Sequence, residues 1–410
     1  MSRHPRNAIK DLRGVARLAV VGTTHASEVV EAMHSTIAGR RSNRPRLVTD
    51  LVYRSIREIA KIAGTGIDWT LAPLESRVAD NAPGVKRAAV IAALNGVVGD
   101  HLAETDNPLA IPMRFCREGK PLDLDAASLR SAIPNITGKI VVLLHGLCSD
   151  DQFWIRNGHD YGAELARDLG FTPVYLYYNT GKHVSENGRE FSALMDQLVQ
   201  AWPVPVEDLV LLAHSMGGLV ARSACHYGEQ SPRAESPWPQ WRSKLTTIIF
   251  LGTPHHGAPL ERGGNIFQQL MGVSRYAAPL GRLGKLRSAG ITDLRYGAVL
   301  DGHCVGQDRF EPVGDTRDMI ELPAGVKCYA VAATMSLKGR PHPLGDGLVP
   351  IPSALGHHRD PLLALDFPVE NTHVVTDTGH LDLLGSDEVY ETIKGWLSPC
   401  AGRDVANRED

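Results

Sequence analysis

Nowhere does this 410-residue chain hold the roughly 20 consecutive apolar residues that a membrane-crossing helix needs, so no transmembrane helix is expected. It has neither a Walker-type glycine loop nor a G-x-G-x-x-G fingerprint, and a nucleotide-dependent reaction has no motif to stand on. No segment repeats at a fixed period, which excludes solenoids and propellers. The six cysteines (Cys116, Cys148, Cys225, Cys304, Cys328 and Cys400) form no C-x-x-C pair. Several lie in apolar strand or helix contexts, as free buried thiols of a reducing compartment do. Cys148, beside the turn described below, reads as one of these or, alternatively, as an alkylation-sensitive neighbour of the site. Among 17 histidines no carboxylate–histidine spacing of a zinc or calcium site occurs, so no metal and no cofactor is expected. His255 and His256, next to Pro254, are read as structural. The net charge of −3 gives no reason to expect a nucleic-acid partner. The basic start is followed only by Leu18–Val21, too short for the apolar core of a secretory signal. With 43% hydrophobic and 22% charged residues the composition is that of a soluble globular protein.

What the chain does contain is a serine between a strand and a helix. Asp208–Leu212 is a short apolar run of buried-strand type. Ala213-His214-Ser215-Met216-Gly217-Gly218 follows, and Gly218–Arg222 opens a helical pattern. A serine on such a turn must adopt a strained backbone to lift its hydroxyl clear of the sheet, which requires small residues two positions either side. Ala213 stands where the usual pattern has its first glycine. An ordinary helix N-cap also places serine before a helix, so the partners decide. Upstream, the apolar Ile140–Leu144 runs into His145-Gly146-Leu147, where a backbone N–H can point at a developing oxyanion. Downstream, Gly345-Asp346-Gly347-Leu348-Val349-Pro350 follows the strand-like Lys327–Thr334, and Gly379-His380-Leu381 follows the run around His373–Val375. Asp-Gly is also a common turn pair. Asp377 and Asp382 lie nearer His380 in the chain, but the acid is expected from the loop after an earlier strand.

Through these segments, with Leu251–Pro259, the chain resembles bacterial lipase-like serine hydrolases of the α/β-hydrolase superfamily, in the triacylglycerol lipase and PGAP1-like group. The resemblance covers about residues 111–398. It implies a mostly parallel central sheet with helices on both faces. It also implies a Ser215, Asp346, His380 triad in that chain order, with the N–H groups of Leu147 and Met216 as oxyanion hole. The implied reaction is cleavage of carboxylic esters through an acyl-enzyme. Acyl transfer and depolymerisation of an intracellular polyester use the same parts. A non-catalytic lipid- or granule-binding protein with a hydrolase-like body is the third reading, disfavoured by the complete set of motifs. The expected partner is an ester or lipid-like small molecule. Secreted lipases of this kind carry a leader, so the cytoplasm is the expected location.

An insertion of about 258–325 is expected to form a helical cap, mobile or packed in place. Substrate contacts are expected from His145 and His214 and from Phe267, Leu270 and Met271 of that insertion. Tyr178–His183 and Asn187–Arg189 are read either as the rim of the site or as helix-capping loops, and Trp154 as core. Residues 1–110 read as a helical extension, with apolar stripes over Val29–Ile37, Leu47–Ala63 and Val90–Leu102. Its first sixty residues hold 11 Lys and Arg against 5 Asp and Glu. Those stripes are expected to pack on the hydrolase body or in a homodimer, with docking on lipid or a storage granule as the rival. Ile111–Leu124 reads as a hairpin opening the sheet, and 399–410 as a disordered tail.

Overall fold

The computed structural model describes residue 14 and residues 85–230, 241–258, 288–303, 317–318, 320–337, 340–341 and 345–398. The stripes expected over Val29–Ile37 and Leu47–Ala63, most of the expected cap including Phe267, Leu270 and Met271, and the tail lie outside the described residues. So do Cys304 and Cys400. The chain divides into two compact units: Met1–Gly84 with His101–Ala110, and Val85–Asp100 with Ile111–Asp410. In the first, the Asn107 amide donates to the Gly14 carbonyl at 3.2 Å, and its oxygen accepts the Leu109 N–H at 3.0 Å.

The second unit opens with part of helix α1 (Val85–Glu104), kinked at Val98, where φ is −137°. The hairpin β1 (Arg114–Arg117) and β2 (Lys120–Pro121) follows. Then come β3 (Lys139–Leu144), α2 (Tyr161–Leu169), β4 (Thr172–Tyr177), α3 (Val184–Ala201), β5 (Asp208–His214) and α4 (Met216–Gln230). The unit closes with β6 (Leu245–Leu251), β7 (Lys327–Thr334), β8 (Thr372–Thr376) and α5 (Asp387–Leu397). The eight strands form one sheet in the order β8-β7-β6-β5-β3-β4-β1-β2. All neighbours from β8 to β4 are parallel, and β1 joins β4 antiparallel.

Parallel strands need cover on both faces, and the sequence supplies it by making β3 apolar from Ile140 to Leu144 and β5 apolar from Leu209 to Ala213. Ile140, Val142, Leu144, Leu209, Leu211 and Ala213 pack to one side with Phe191 and Met195 of α3 and Leu219 and Val220 of α4. Val141, Leu143, Val210 and Leu212 pack to the other with Tyr161 and Leu165 of α2 and Val389 and Ile393 of α5. Trp154 belongs to this second core. Each such side chain stabilises the fold by about 1.5–3 kcal/mol when fully buried.

Chain order reverses at β3, which has β4 on one side and β5 on the other. At such a switch point the loops leaving adjacent strands diverge and open a crevice at their carboxyl ends. His145-Gly146-Leu147 leaves β3 there, and Ser215 leaves β5.

Candidate active site

Ser215 sits at φ +55°, the left-handed region that costs a side-chain-bearing residue on the order of 1–3 kcal/mol. The surroundings hold it there. Its N–H donates to the Leu251 carbonyl at the end of β6 (2.8 Å), and its carbonyl accepts from Gly218 (3.0 Å). The small residues of the turn are steric requirements. A Cβ on Gly217 would stand 2.5 Å from the Leu144 carbonyl oxygen and 2.8 Å from that of His145. A Cβ on Gly146 would stand 2.9 Å from the Ser215 Cβ and 3.4 Å from its Oγ. The loop after β3 therefore lies directly against the serine.

Asp346 follows Gly345, whose φ is +59°. Its two carboxylate oxygens have separate tasks. Oδ1 accepts the N–H groups of Leu348 (2.9 Å) and Val349 (2.7 Å). Oδ2 lies 2.7 Å from Nδ1 of His380. The Asp346 carbonyl also accepts the His380 N–H at 3.0 Å, tying the two loops together. A carboxylate can only accept, so Nδ1 carries the proton and Nε2 presents its lone pair. Gly252, at φ +57° after β6, leaves room for this pair; a Cβ there would lie 3.2 Å from both Asp346 Oδ2 and His380 Cε1. Sequence reasoning gave Gly252 no role, although its place directly after a strand end was the available signal. The Ser215 hydroxyl makes no hydrogen bond to His380 among the described residues. In unliganded enzymes this bond is often long and closes with substrate.

The Leu147 and Met216 N–H groups both lie in buried residues beside Ser215, and neither has a hydrogen-bond acceptor among the described residues. Buried backbone donors without a partner are rare, because each forfeits its bond to water. The Leu147 and Met216 N–H groups are thus donors free to meet an acceptor.

The neighbouring histidines are enclosed. His145 stacks on Tyr178, ring centroids 4.5 Å apart, and its Nδ1 lies 2.9 Å from the Gly146 carbonyl. The Tyr178 hydroxyl donates to the His145 carbonyl at 2.8 Å. His214 places Nε2 3.1 Å from the His380 carbonyl, with its ring 4.7 Å from the His380 ring. Burial pushes the His145 imidazole down to about 4 and holds His214 well below the usual range. Both stay neutral at pH 7, and each gives one N–H to a carbonyl of the site's backbone.

Other residues singled out in the sequence make contacts of their own. Asp382 pairs with Arg156 at 3.1 Å on the surface. His255 and His256 line a small cavity with Arg222. Asn179 and Thr180 are buried inside the fold. Burial pushes the Cys148 thiol up to about 12, which favours the buried-thiol reading of Cys148 over the alkylation-sensitive one. Among the described residues no group of three or more His, Cys, Asp or Glu is placed to hold a metal. No described helix is long and apolar enough to cross a membrane.

Residues 181–298 match the family model of the PGAP1-like alpha/beta domain. No curated protein matches the chain. Among solved structures it is similar to the mature lipase BlEst2 of Bacillus licheniformis, at 17% identity and a TM-score of 0.40 over 64% of this chain and 92% of that one. It is also similar to Aspergillus fumigatus lipase B, at 14% identity and a TM-score of 0.35 over 64% and 55% of the two chains. The Pyrococcus furiosus esterase Pf2001 is similar at 12% identity and a TM-score of 0.35 over 64% and 85%. The segment similar to the PGAP1-like alpha/beta domain thus spans α3, β5, the Ser215 turn, α4 and β6.

Proposed function

We propose that the protein is a serine hydrolase that cleaves carboxylic esters through Ser215, His380 and Asp346. One observation carries the reading. A strained, buried serine at the sheet's switch point has two N–H donors nearby with no acceptor among the described residues, and a carboxylate-oriented imidazole stands in the loop after β8.

A serine hydroxyl is a poor nucleophile at neutral pH. As Oγ bonds to the acyl carbon, its proton passes to Nε2 of His380, and the carbonyl π electrons move onto oxygen. Asp346 holds the proton on Nδ1 and stabilises the imidazolium. The oxyanion takes the Leu147 and Met216 N–H groups, each worth about 3 kcal/mol of barrier where such a donor has been removed. Collapse breaks the ester C–O bond, and the leaving alkoxide takes the proton from His380. Water then attacks the acyl-enzyme, giving its proton to Nε2, and the second collapse returns that proton to Ser215. Release of the acid completes the cycle.

The buried free thiols of Cys116, Cys148, Cys225 and Cys328 suit a reducing compartment, and the cytoplasm is the proposed location. The test is hydrolysis of a chain-length series of p-nitrophenyl esters by purified protein. Turnover that Ser215→Ala abolishes supports the reading. Turnover that persists in that variant, or none on any chain length by folded protein, overturns it.

A further inference from the structure

The segment of α1 in the hydrolase unit lies outside both the stretch that resembles lipases and the stretch matched by the PGAP1-like domain. It packs nevertheless against the loop that carries the Leu147 N–H and against the loop after β4. A Cβ on Gly96 would lie 2.2 Å from Sγ of Cys148 and 3.0 Å from both its Cα and its backbone nitrogen. A Cβ on Gly99 would lie 1.9 Å from the Asn179 side-chain oxygen. From the opposite side, a Cβ on Gly181 would meet the Asn95 carbonyl oxygen at 2.1 Å and the Gly99 nitrogen at 2.6 Å. Three glycines thus remove the side chains that would separate the helix from the loops leaving β3 and β4. A glycine in a helix interior costs about 1 kcal/mol relative to alanine, so two within four residues mark a close backbone approach.

Hydrogen bonds fix the same contact. At the kink, the Gly99 carbonyl accepts from the Asn179 amide (2.8 Å), and the Gly96 carbonyl accepts from the Ser288 hydroxyl (2.6 Å). Ala289 N–H donates to the Asp100 carboxylate at 2.9 Å. The thiol of Cys148 reaches the Ala93 carbonyl at 3.8 Å, and the Cys148 N–H donates to the Thr180 hydroxyl at 3.2 Å. Cys148 itself holds φ +58°, a strained conformation that surrounding contacts must impose. The peptide plane before it sets the direction of the Leu147 chain.

We infer that Val85–Asp100 is a positioning element for ester hydrolysis: through Gly96, and through Thr180 on the far side, it clamps Cys148 in the left-handed conformation that keeps the Leu147 N–H aimed at the oxyanion. The inference rests on the proposed triad and oxyanion hole, and it makes Gly96 and Thr180 positioning residues that never touch substrate. Donors must lie about 2.7–3.1 Å from the oxyanion. A displacement of a few tenths of an ångström in this loop therefore weakens the transition state more than substrate binding.

The experiment compares an ester with its thionoester in the wild type, Gly96→Ala and Thr180→Val. Sulfur is larger and a weaker acceptor, so a well-aimed hole prefers the oxygen substrate and a disturbed hole loses that preference. Gly96→Ala is expected to lower kcat for the ester at least tenfold with KM changed less than twofold, and to reduce the ester-over-thionoester ratio by a similar factor. Adding Cys148→Gly removes the clashing sulfur and accepts the positive φ, and it is expected to recover most of both losses. Thr180→Val, nearly isosteric, keeps the test open should Gly96→Ala not fold; it is expected to show the same split. A folded variant with the wild-type ratio, or with equal loss on both substrates, overturns the inference while leaving the triad intact. Activity indifferent to Ser215→Ala instead overturns the reading beneath it.

Discussion

Replacing Asp346 by Asn tests the imidazole's orientation with almost no change of shape. In the native protein Oδ1 is pinned by the N–H groups of Leu348 and Val349 at 2.9 and 2.7 Å, and only an acceptor can occupy that position. The asparagine oxygen must stay there, which forces the amide NH₂ to the place of Oδ2, 2.7 Å from Nδ1 of His380. An amide N–H facing Nδ1 makes that nitrogen an acceptor and moves the imidazole proton to Nε2. The ring then has no lone pair for the serine proton. A triad held in the wrong tautomer loses about 10⁴ in kcat, close to 5.5 kcal/mol of barrier. Folding loses much less, because both backbone donors stay satisfied. The assay is kcat/KM on a soluble p-nitrophenyl ester at pH 7.5, with a thermal melt on the same sample. Asp346→Asn is expected to melt within a few degrees of the wild type and to retain about 10⁻⁴ of its activity. A folded variant keeping a tenth of the activity would refute the tautomer reasoning and return Asp346 to a turn role.

Further outcomes follow from packing and burial. Gly217→Ala brings a methyl to 2.5 Å from the Leu144 carbonyl oxygen; overpacking of this kind costs about 1–3 kcal/mol, and a melt lowered by several degrees checks it. Stability should fall as pH drops from 6.5 towards 4. The unfolded chain takes up protons in that window while buried His145, held at about 4, stays neutral. His145 alone contributes about 3 kcal/mol of this slope. Asp150, raised to about 6 by burial, offsets about one such histidine by binding a proton in the folded state first, while His256, also held at about 4, and His214 and His255, held well below the usual range, keep the net fall. A urea midpoint flat from pH 7 to 4.5 would contradict this. Cys148, at about 12, is thiolate in only about one molecule in 10⁴ at pH 8. Iodoacetamide should leave native activity unchanged while modifying the unfolded protein freely.

Much of this site is legible in the sequence because its chemistry is written in local patterns. The turn around Ser215 needs small residues at fixed offsets, and the apolar runs of β3 and β5 need partners on two faces. Leucine and valine N–H groups after Asp346 require an acceptor before them, which a Gly-Asp-Gly segment supplies. What the sequence does not announce is long-range. Gly96 and Gly99 look like weak points in a helical stripe until Cys148 and Asn179 are seen against them. Asn179 and Thr180 read equally as rim or cap, and only the fold turns them inward to a helix carbonyl and a loop N–H. Cys148 reads as reactive because it neighbours the turn, while its burial depends on a helix some fifty residues upstream. Gly252 has no motif of its own; its need comes from an Asp–His pair assembled from two other loops.

Peptide mapping after reaction with a fluorophosphonate probes the nucleophile most directly. One equivalent of label is expected, attached to Ser215 and absent when His380 is replaced by Ala. Label on another serine, or folded wild-type protein that takes none, would contradict the assignment of this turn as the catalytic centre.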